Sequence, residues 1–450
     1  MRHIYRLKQF IVIISDLIAF FIGLYIALFL RFFTIPETNT YIYHLPLFSV
    51  IFLFWIAVNY MTGLYDLTSR KQIRNYALAG QAAILSFIAT ITILYLVPQK
   101  EITPKTILAL AVVFGYILSF IFRILFYKIF SKSGLAMPLY FVGTHREIDE
   151  MIEIVQKNPE MGYRVAAIFD PKEPNANIDK ILTSAQSDGG YLIVSSELHT
   201  DPEMQKKLYS LLFTNVPIIN HSSFYEVLTG RVAPSMFSEA WFLENLGRLN
   251  HPIYDRLSRL FDYIIAVILF VFFIITWPIV AILIKITSRG PIFFIQNRVG
   301  LHGQVFKLYK YRSMYALASD GSAEIDGVKF AERNDNRITL FGKFLRKSRL
   351  DELPQCLNLL KGDLTLIGPR PERPEIVSIL TEKMPYYSLR HIVKPGITGW
   401  AVVRQNYTAD LESSLVKLQY DLFYIKNRSW LLDMSIVLRT VNLIVRMLGQ

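Results

Sequence analysis

The chain has 450 residues, of which 52% are hydrophobic and 19% are charged, and its formal net charge at pH 7 is +12. This length allows two or three domains. So apolar a composition argues against an ordinary soluble protein and predicts membrane-embedded segments. The positive charge favours anionic lipid or phosphate-bearing ligands, and we expect no nucleic acid partner. The single cysteine, Cys356, excludes an internal disulfide and a thiolate metal cluster.

Four long apolar segments open the chain, and each is about long enough to cross a bilayer as a helix. They are Phe10–Leu30, Leu45–Leu64, Ala77–Val97 and Ile107–Phe122. Cations before the first segment, between the second and third, and after the fourth place both ends of the bundle in the cytoplasm. We therefore predict a four-helix transmembrane domain over residues 1–132, with an uncleaved first helix. Asp16 and Gln81 lie within spans, where each either marks a pathway or makes a helix–helix hydrogen bond.

Residues 137–235 show alternating strand and helix patterns, which predict a small, degenerate Rossmann-like domain with a parallel sheet. Strands are expected at Leu139–Val142, Arg164–Phe169, Tyr191–Val194 and Pro217–Ile219. The first turn, FVGTHRE, contains only Gly143, so the glycine fingerprint that admits a pyrophosphate is missing. The domain is either a structural or regulatory module or a ligand binder.

A fifth apolar segment, residues 260–286, is long enough to span a membrane. Cations flank it on both sides, so both of its ends favour the cytoplasm. Pro278 removes a helical hydrogen bond and clashes with the preceding turn, so the helix is able to bend back there. The segment is either a kinked transmembrane helix or a helix–break–helix that enters and leaves by the same face.

The stretch SRLDELPQ, residues 348–355, carries adjacent carboxylates, Asp351 and Glu352. Since Pro354 is best tolerated in the first turn, a helix is predicted to start near Leu350. Its N-terminus favours anions, including phosphate. One carboxylate could attack phosphorus while the other holds Mg²⁺. Taken alone, the pair is more often a helix-capping feature with surface salt bridges.

Two neighbouring motifs favour the catalytic alternative. In GPRPERP, residues 368–374, the prolines beside Arg370 reduce the entropy that its guanidinium loses on binding phosphate. The motif KLYKYRSM, residues 307–314, alternates cations with aromatics, as in a strand with two different faces or a solvated edge. Taken alone, the GPRPERP motif is more often a rigid surface turn.

Residues 252–450 resemble the bacterial polyprenyl-phosphate hexose-1-phosphate transferases, the large monotopic phosphoglycosyl transferases. The matching runs are GPIFFIQNRVG (290–300), GQVFKLYKYRSM (303–314), RITLFGKFLRKSRLDELPQCLNLLKGDLTLIGPRPE (337–372), VKPGITGWA (393–401) and the YD of LQYDLFYIKN (418–427). The four-span start and the middle domain are also similar to the large members. The resemblance implies an α-rich catalytic domain over residues 252–450, with a re-entrant membrane helix at 260–286 that breaks at Pro278.

The same resemblance implies a mechanism. Asp351 matches the nucleophile that attacks the sugar-bearing phosphate of a UDP-sugar, which releases UMP and leaves a covalent phosphosugar enzyme. Glu352 matches the Mg²⁺-binding partner, and we assign both carboxylates to the metal site. Lys310, Arg346 and Arg370 match cations around the phosphates. With Arg312, Pro371 and Glu372 they form the phosphate- and substrate-binding set that we predict. Undecaprenyl phosphate then collects the sugar phosphate, which starts a surface polysaccharide.

The implied setting is the bacterial inner membrane, with the catalytic domain facing the cytoplasm, the lipid bilayer as a partner and a homodimer as a further one. Two other functions compete with this prediction. A glycosyltransferase that moves the sugar alone would release UDP, and a membrane scaffold for an export machine would need no acidic dyad. The sequence leaves the sugar undetermined, with glucose and galactose as common choices in the family.

Overall fold

A computed structural model gives the fold and describes residues 2–65, 72–96, 105–130, 136–171, 173, 177–195, 197–198, 201–214, 216–246, 251–316, 337–405 and 410–445. The chain forms two compact units, Met1–Gly230 and Arg231–Gln450. Several features used above lie outside the described residues. They are two cations between the second and third predicted spans, Arg70 and Lys71, one cation after the fourth span, Lys132, the last residue of the third predicted span, Val97, and the ends of the two predicted domains at 1, 131–132 and 446–450.

The first unit begins with long apolar helices, which are α1 Arg2–Phe32, α2 Thr38–Thr62, α3 Gln72–Leu96 and α4 Lys105–Phe130. Stretches of α1, α2 and α4 are long and apolar enough to cross a membrane, namely Gln9–Phe32, Thr38–Thr62 and Thr106–Phe126. In α3 the apolar stretch found among the described residues is the shorter Leu78–Thr92. These helices mark the chain as a membrane protein, as its composition predicts.

Close packing of α1 on α4 depends on small residues. A Cβ atom at Gly23 would lie 2.6 Å from the backbone nitrogen of Gly115, so only glycine allows the two helices to approach this closely. Beside this contact, the ring of Phe20 packs 5.1 Å from Trp55 and 5.4 Å from Tyr116, centroid to centroid. Aromatic side chains therefore form the part of the bundle core beside the close contact of Gly23 with Gly115.

Asp16 makes hydrogen bonds between helices, which is one of the two roles that the sequence allows for it. Its carboxylate is fully buried and forms an ion pair with Arg123 of α4. It also accepts hydrogen bonds from Ser119 at 2.7 Å and Asn59 at 3.1 Å. Because an unpaired charge inside a bilayer is costly, this network ties α1 to α2 and α4.

A four-stranded parallel sheet follows in the same unit, in the order β2-β1-β3-β4. Its strands are β1 Met137–Val142, β2 Tyr163–Phe169, β3 Tyr191–Val194 and β4 Ile218–Asn220. Its helices are α5 Arg146–Lys157, α6 Ile178–Asp188, α7 Pro202–Ser210 and α8 His221–Thr229. All four predicted strands are present within two residues of their predicted bounds. The core comes from apolar side chains of the sheet and helices, such as Leu192 and Leu182.

The second unit mixes helices with short strands and contains Asp351 and Glu352. Its helices are α9 Glu239–Leu246, α10 Pro252–Thr287, α11 Leu340–Ser348, α12 Cys356–Lys361, α13 Pro374–Lys383, α14 Trp400–Arg404, α15 Leu411–Lys426 and α16 Trp430–Val445. Its strands are β5 Phe293–Val299 and β6 Val305–Tyr311, which pair antiparallel, and β7 Thr365–Ile367 and β8 Gly396–Thr398, which pair in parallel.

The helix α10 has 36 residues and continues through Pro278. At 1.5 Å per residue it is about 54 Å long, well beyond the roughly 30 Å of a hydrocarbon core. Buried residues recur along it from Asp262 to Ile284, so one face packs on its own domain over most of its length. Asp262 accepts a hydrogen bond from the backbone nitrogen of Leu366 at 2.9 Å. The other faces carry exposed isoleucine, valine and phenylalanine side chains.

Candidate active site

The dyad lies in a tight turn between two helices. Helix α11 begins after Thr339, whose hydroxyl accepts a hydrogen bond from the nitrogen of Gly342 at 2.9 Å. It ends at Ser348 and is followed by Arg349, whose φ is +56°. A 3₁₀ turn, Leu350–Gln355, follows and leads into α12. The helical start predicted near Leu350 is confirmed, although its first turn is 3₁₀. Asp351 and Glu352 occupy that first turn.

Contacts of the two flanking helices, α11 and α12, hold this turn against strand β6. A Cβ atom at Gly342 would lie 1.9 Å from the carbonyl oxygen of Ser313, so only glycine lets α11 approach the end of β6. Asn358 of α12 is fully buried. It donates to the carbonyl of Lys307 at 2.8 Å and accepts from the nitrogen of Tyr309 at 3.2 Å. These contacts set the side chain of the next cation on β6, Lys310, against the dyad.

Glu352 is held by three cations. Its Oε1 lies 3.2 Å from Nζ of Lys310 and within hydrogen-bond distance of Nη2 of Arg370. Its Oε2 lies 3.9 Å from Nη1 of Arg349. Burial alone would raise the pKa of Glu352, but Arg370, Lys310 and Arg349 hold it well below its usual range. Glu352 is therefore a fixed anion at the centre of a cationic cluster.

Asp351 differs from its neighbour because its carboxylate makes no hydrogen bond or ion pair with any residue that the structure describes. The residue is only 9% exposed. Burial and the charge of Glu352 raise the pKa of Asp351 to about 6, against the opposing effect of Lys310, Arg346 and Arg370. The carboxylate is ionised near neutral pH and has an unoccupied oxygen, which suits a nucleophile.

The other predicted cations divide into two groups. Arg346 lies near enough to lower the pKa of Asp351 electrostatically. Arg312, in contrast, is 2% exposed and donates to the carbonyls of Ser288 at 2.8 Å and Arg289 at 2.7 Å. Its terminal nitrogens hold the end of α10. No contact of Arg312 with the dyad occurs among the described residues, so its predicted part in substrate binding stays a prediction.

The backbone that carries Arg370 is clamped at three successive carbonyls. Arg390 donates to the carbonyl of Arg370 at 2.8 Å, and Arg298 donates to that of Pro371 at 3.0 Å. The backbone nitrogen of Val299 donates to the carbonyl of Glu372 at 2.9 Å. The rigid turn that the prolines predict is thus also held from outside, which fixes the position of the Arg370 guanidinium.

Glu372 lies in a second ionic cluster rather than against the dyad. Its carboxylate pairs with Lys417 and lies 3.6 Å from Arg298. Burial would raise its pKa, but Lys417, Arg390 and Arg298 lower it to about 2. Arg390 also pairs at 2.8 Å with Asp421, the acid of the YD run. Glu372, predicted to bind substrate, thereby anchors the Arg370 loop.

Several residues of the site were not singled out from the sequence. The sequence analysis gave no individual role to Arg349, Asn358, Arg298, Lys417 or Arg390. Arg390 and Lys417 are separated from Glu372 by 18 and 45 residues, and no local pattern marks such pairs. The available signals were the matched runs, because 290–300 includes Arg298, 337–372 includes Asn358 and the YD run includes Asp421.

The donor set fits a Mg²⁺ ion that is shared with a substrate. No cluster of three or more histidine, cysteine or acidic side chains suited to a metal occurs among the residues described. Mg²⁺, however, is usually bound by one or two carboxylates together with substrate phosphates and water. Adjacent carboxylates, one of them without a protein partner, meet that requirement.

Comparison with known proteins locates relatives of this region. The family described as bacterial sugar transferase matches residues 253–447. A UDP-N-acetylgalactosamine-undecaprenyl-phosphate N-acetylgalactosaminephosphotransferase of Aeromonas hydrophila is 40% identical over 58% of this chain and 60% of its own. An uncharacterized sugar transferase of Bacillus subtilis is 41% identical over 41% of this chain and 86% of its own.

A third relative is a UDP-glucose:undecaprenyl-phosphate glucose-1-phosphate transferase of Caulobacter vibrioides. It is 37% identical over 43% of this chain and 72% of its own. The matched part of the chain spans 60% or less of the length of the first curated relatives. These alignments therefore show similarity of the shared region and not of the whole proteins.

Proposed function

The chain belongs to the bacterial sugar transferase family of undecaprenyl-phosphate sugar-1-phosphate transferases, and we propose on this premise that it transfers a hexose 1-phosphate from a UDP-sugar to undecaprenyl phosphate. UMP is the released nucleotide. The observation that carries the proposal is the contrast within the dyad: Glu352 is fixed by three cations, while the buried Asp351 carboxylate has no partner among the described residues.

In the first step an oxygen of Asp351 attacks the phosphorus that bears the sugar. A bond forms between that oxygen and phosphorus, and the bond from phosphorus to the bridging oxygen breaks. UMP leaves with the bridging oxygen and its electron pair. The product is an acyl phosphate that joins Asp351 to the sugar through one phosphate.

In the second step an oxygen of the undecaprenyl phosphate attacks the same phosphorus. The acyl phosphate bond breaks, the Asp351 carboxylate is restored, and a polyprenyl diphosphate sugar is released. The first step moves negative charge from the Asp351 carboxylate to the bridging phosphate oxygen, and the second moves it from the lipid phosphate back to the carboxylate. Cations that are already in position stabilise such charge without reorganising, and this is the function we assign to Lys310, Arg346 and Arg370.

Mg²⁺ is part of the proposal. Glu352 would hold it together with oxygens of the donor diphosphate, and Asp351 borders the same site. When bound, the ion neutralises charge on the leaving UMP and on the phosphate under attack. Glu352 also keeps Arg370 and Lys310 in place, so its substitution would disturb the cations as well as the metal.

The membrane arrangement is proposed on the same basis. The packing of α10 on its own domain from Asp262 to Ile284 supports a re-entrant course, because a helix that crossed the bilayer would leave that domain. Pro278 leaves the carbonyl of Ile274 without its helical donor, which favours a bend. A site on the cytoplasmic face of the inner membrane can receive both a soluble nucleotide and a lipid phosphate.

The middle domain is proposed to be a degenerate nucleotide-fold module without an assigned ligand. The product would start an exopolysaccharide, a capsule or an O-antigen. Relatives act on different sugars, including N-acetylgalactosamine, glucose and galactose according to their names, so the donor is identified by experiment.

A panel of UDP-sugars with undecaprenyl phosphate and purified protein tests the proposal. We expect UMP and a lipid-linked sugar from at least one donor. Intact-mass spectrometry of protein quenched with that donor alone should reveal a sugar phosphate adduct. Release of UDP would instead identify a glycosyltransferase, and an active enzyme that never acquires mass would refute the covalent step.

A further inference from the structure

An apolar cavity of ≈ 200 Å³ adjoins the dyad. Helix α10 lines it on both sides of Pro278 with residues that include Phe272, Ile279 and Leu283. Phe344 of α11 contributes the opposite wall. Leu350 and Leu353, which directly flank Asp351 and Glu352 in sequence, complete it. The cavity therefore joins the membrane helix to the turn that carries the proposed nucleophile.

The cavity walls offer water little to bind. Thr276 lines the cavity, but its hydroxyl already donates to the carbonyl of Phe272 in its own helix at 2.8 Å. Tyr311 is 1% exposed, and its hydroxyl, which has no hydrogen-bond partner in the described part of the chain, is at most one polar side-chain group left in this lining for water. A buried water needs two to four polar partners, and apolar cavities of this size stay dry and accept apolar ligands. The cavity thus suits a hydrocarbon group.

The two ends of the cavity differ in character. At one end, Lys310, Arg349 and Arg370 surround Glu352 and form a site for an anion next to Asp351. At the other end, the cavity meets the exposed apolar surface of α10, because Ile279 both lines the cavity and is 64% exposed. A ligand that fills both ends must combine a phosphate head with an apolar tail that continues into lipid.

We propose that this cavity binds the phosphate-proximal isoprene units of the polyprenyl phosphate acceptor. The inference rests on the proposed function and adds a location for the lipid tail. The branched, single chain enters between Phe344 and α10, and its phosphate reaches the acyl phosphate on Asp351 between the flanking leucines. The remaining isoprene units lie along the exposed face of α10 in the bilayer.

Photolabelling tests the location without any sugar transfer. The probe is a polyprenyl phosphate with a diazirine in its first isoprene units, added to the full-length protein in phosphatidylglycerol-containing nanodiscs. We expect adducts within residues 272–283 and 341–353, lost on competition with undecaprenyl phosphate. Adducts elsewhere, or equal competition by added phosphatidylglycerol, would overturn the proposal. A protein that labels here but never releases UMP would refute the reaction and leave the lipid site standing.

A matched pair of variants on α11 gives a second test. Phe344 is 47% exposed and lines the cavity, whereas Leu340 on the same helix is 87% exposed and does not. In F344A we expect the KM for polyprenyl phosphate to rise about tenfold, as loss of roughly 1.4 kcal/mol of apolar contact requires. The KM for the UDP-sugar should change far less. F344L, which restores most of the volume, should recover the wild-type KM.

L340A should leave both KM values within about twofold, the usual range for an exposed surface position. An equal rise of the acceptor KM in L340A and F344A would show a general loss of membrane contact and overturn the assignment of the cavity. An unchanged acceptor KM in F344A would do the same.

Discussion

Arg370 and Glu352 form a bidentate ion pair, in which Nη2 of Arg370 lies 2.5 Å from Oε1 of Glu352 and Nη1 lies 3.4 Å from Oε2. A planar guanidinium matches a carboxylate in this way, and an ammonium group cannot. The pair fixes both partners beside Asp351. It is therefore the first contact to test.

Loss of the Arg370 guanidinium should reduce the rate of UMP release. We expect R370A to lower kcat/KM by a factor equivalent to roughly 2–4 kcal/mol, in line with loss of a preorganised charge contact. R370K should recover only part of this, because lysine cannot bind both oxygens. Steady-state kinetics measures the effect. The matched control is R373A in the same loop, which should remain close to wild type, and an equal loss in R373A would point to general damage of the loop.

Replacement of the nucleophile should separate activity from stability. D351N should abolish UMP release and the mass adduct. Since burial and Glu352 raise the pKa of Asp351 in the folded protein to about 6, its ionised form destabilises the fold at pH 7. Removing that charge should therefore raise the free energy of unfolding by about 1–3 kcal/mol. Chemical denaturation checks the sign, and normal UMP release from D351N would end the covalent scheme.

The pH dependence follows from the same carboxyl group. A nucleophilic carboxylate must be ionised, so the rate of UMP release should fall as the pH drops through about 6. At pH 5 about a tenth of the Asp351 groups would be ionised, and the rate should be about tenfold below its plateau near pH 8. Single-turnover UMP release across this range, with circular dichroism to verify folding, is the measurement. A flat profile from pH 5 to 8 would contradict the assignment.

The outer clamp on the Arg370 loop should affect turnover through Arg370. R390K keeps a charge for Asp421 but loses the geometry that also reaches the carbonyl of Arg370. We expect kcat to fall by about tenfold, and the combined variant with R370A to fall little further, because residues that act through one contact are not additive. Additive losses in this double-mutant cycle would show that Arg390 acts independently of Arg370.

Removal of divalent cations should stop the reaction at its first step. With EDTA we expect no UMP release and no mass adduct, and excess Mg²⁺ should restore both. Ca²⁺ should restore them poorly, because it is larger and prefers more ligands at longer distances. Undiminished UMP release in EDTA would exclude a role for Mg²⁺ in the first step.

Local sequence patterns predicted the elements but not their partners. Pro354 indicated where the helical turn begins, and the apolar runs indicated α1, α2, α4 and α10. The charge on Asp16 was visible within a span, whereas its partner Arg123 lies 107 residues later. Arg312 shares the strand pattern of Lys310, yet its guanidinium holds the end of α10. A local sequence pattern does not show which distant element a side chain will contact.

The sequence by itself determined the apolar helices, the parallel sheet strands and the adjacency of Asp351 and Glu352, because hydrophobic periodicity, proline and chain neighbours act over a few residues. Only the tertiary structure decided that Glu352 is fixed by three cations while Asp351 has no partner among the described residues. The sequence alone does not distinguish the environments of these two adjacent carboxylates. Their pKa values differ because long-range packing places three cations in ion-pair contact with the buried Glu352, whereas burial and the charge of Glu352 outweigh the opposing effect of nearby cations on Asp351.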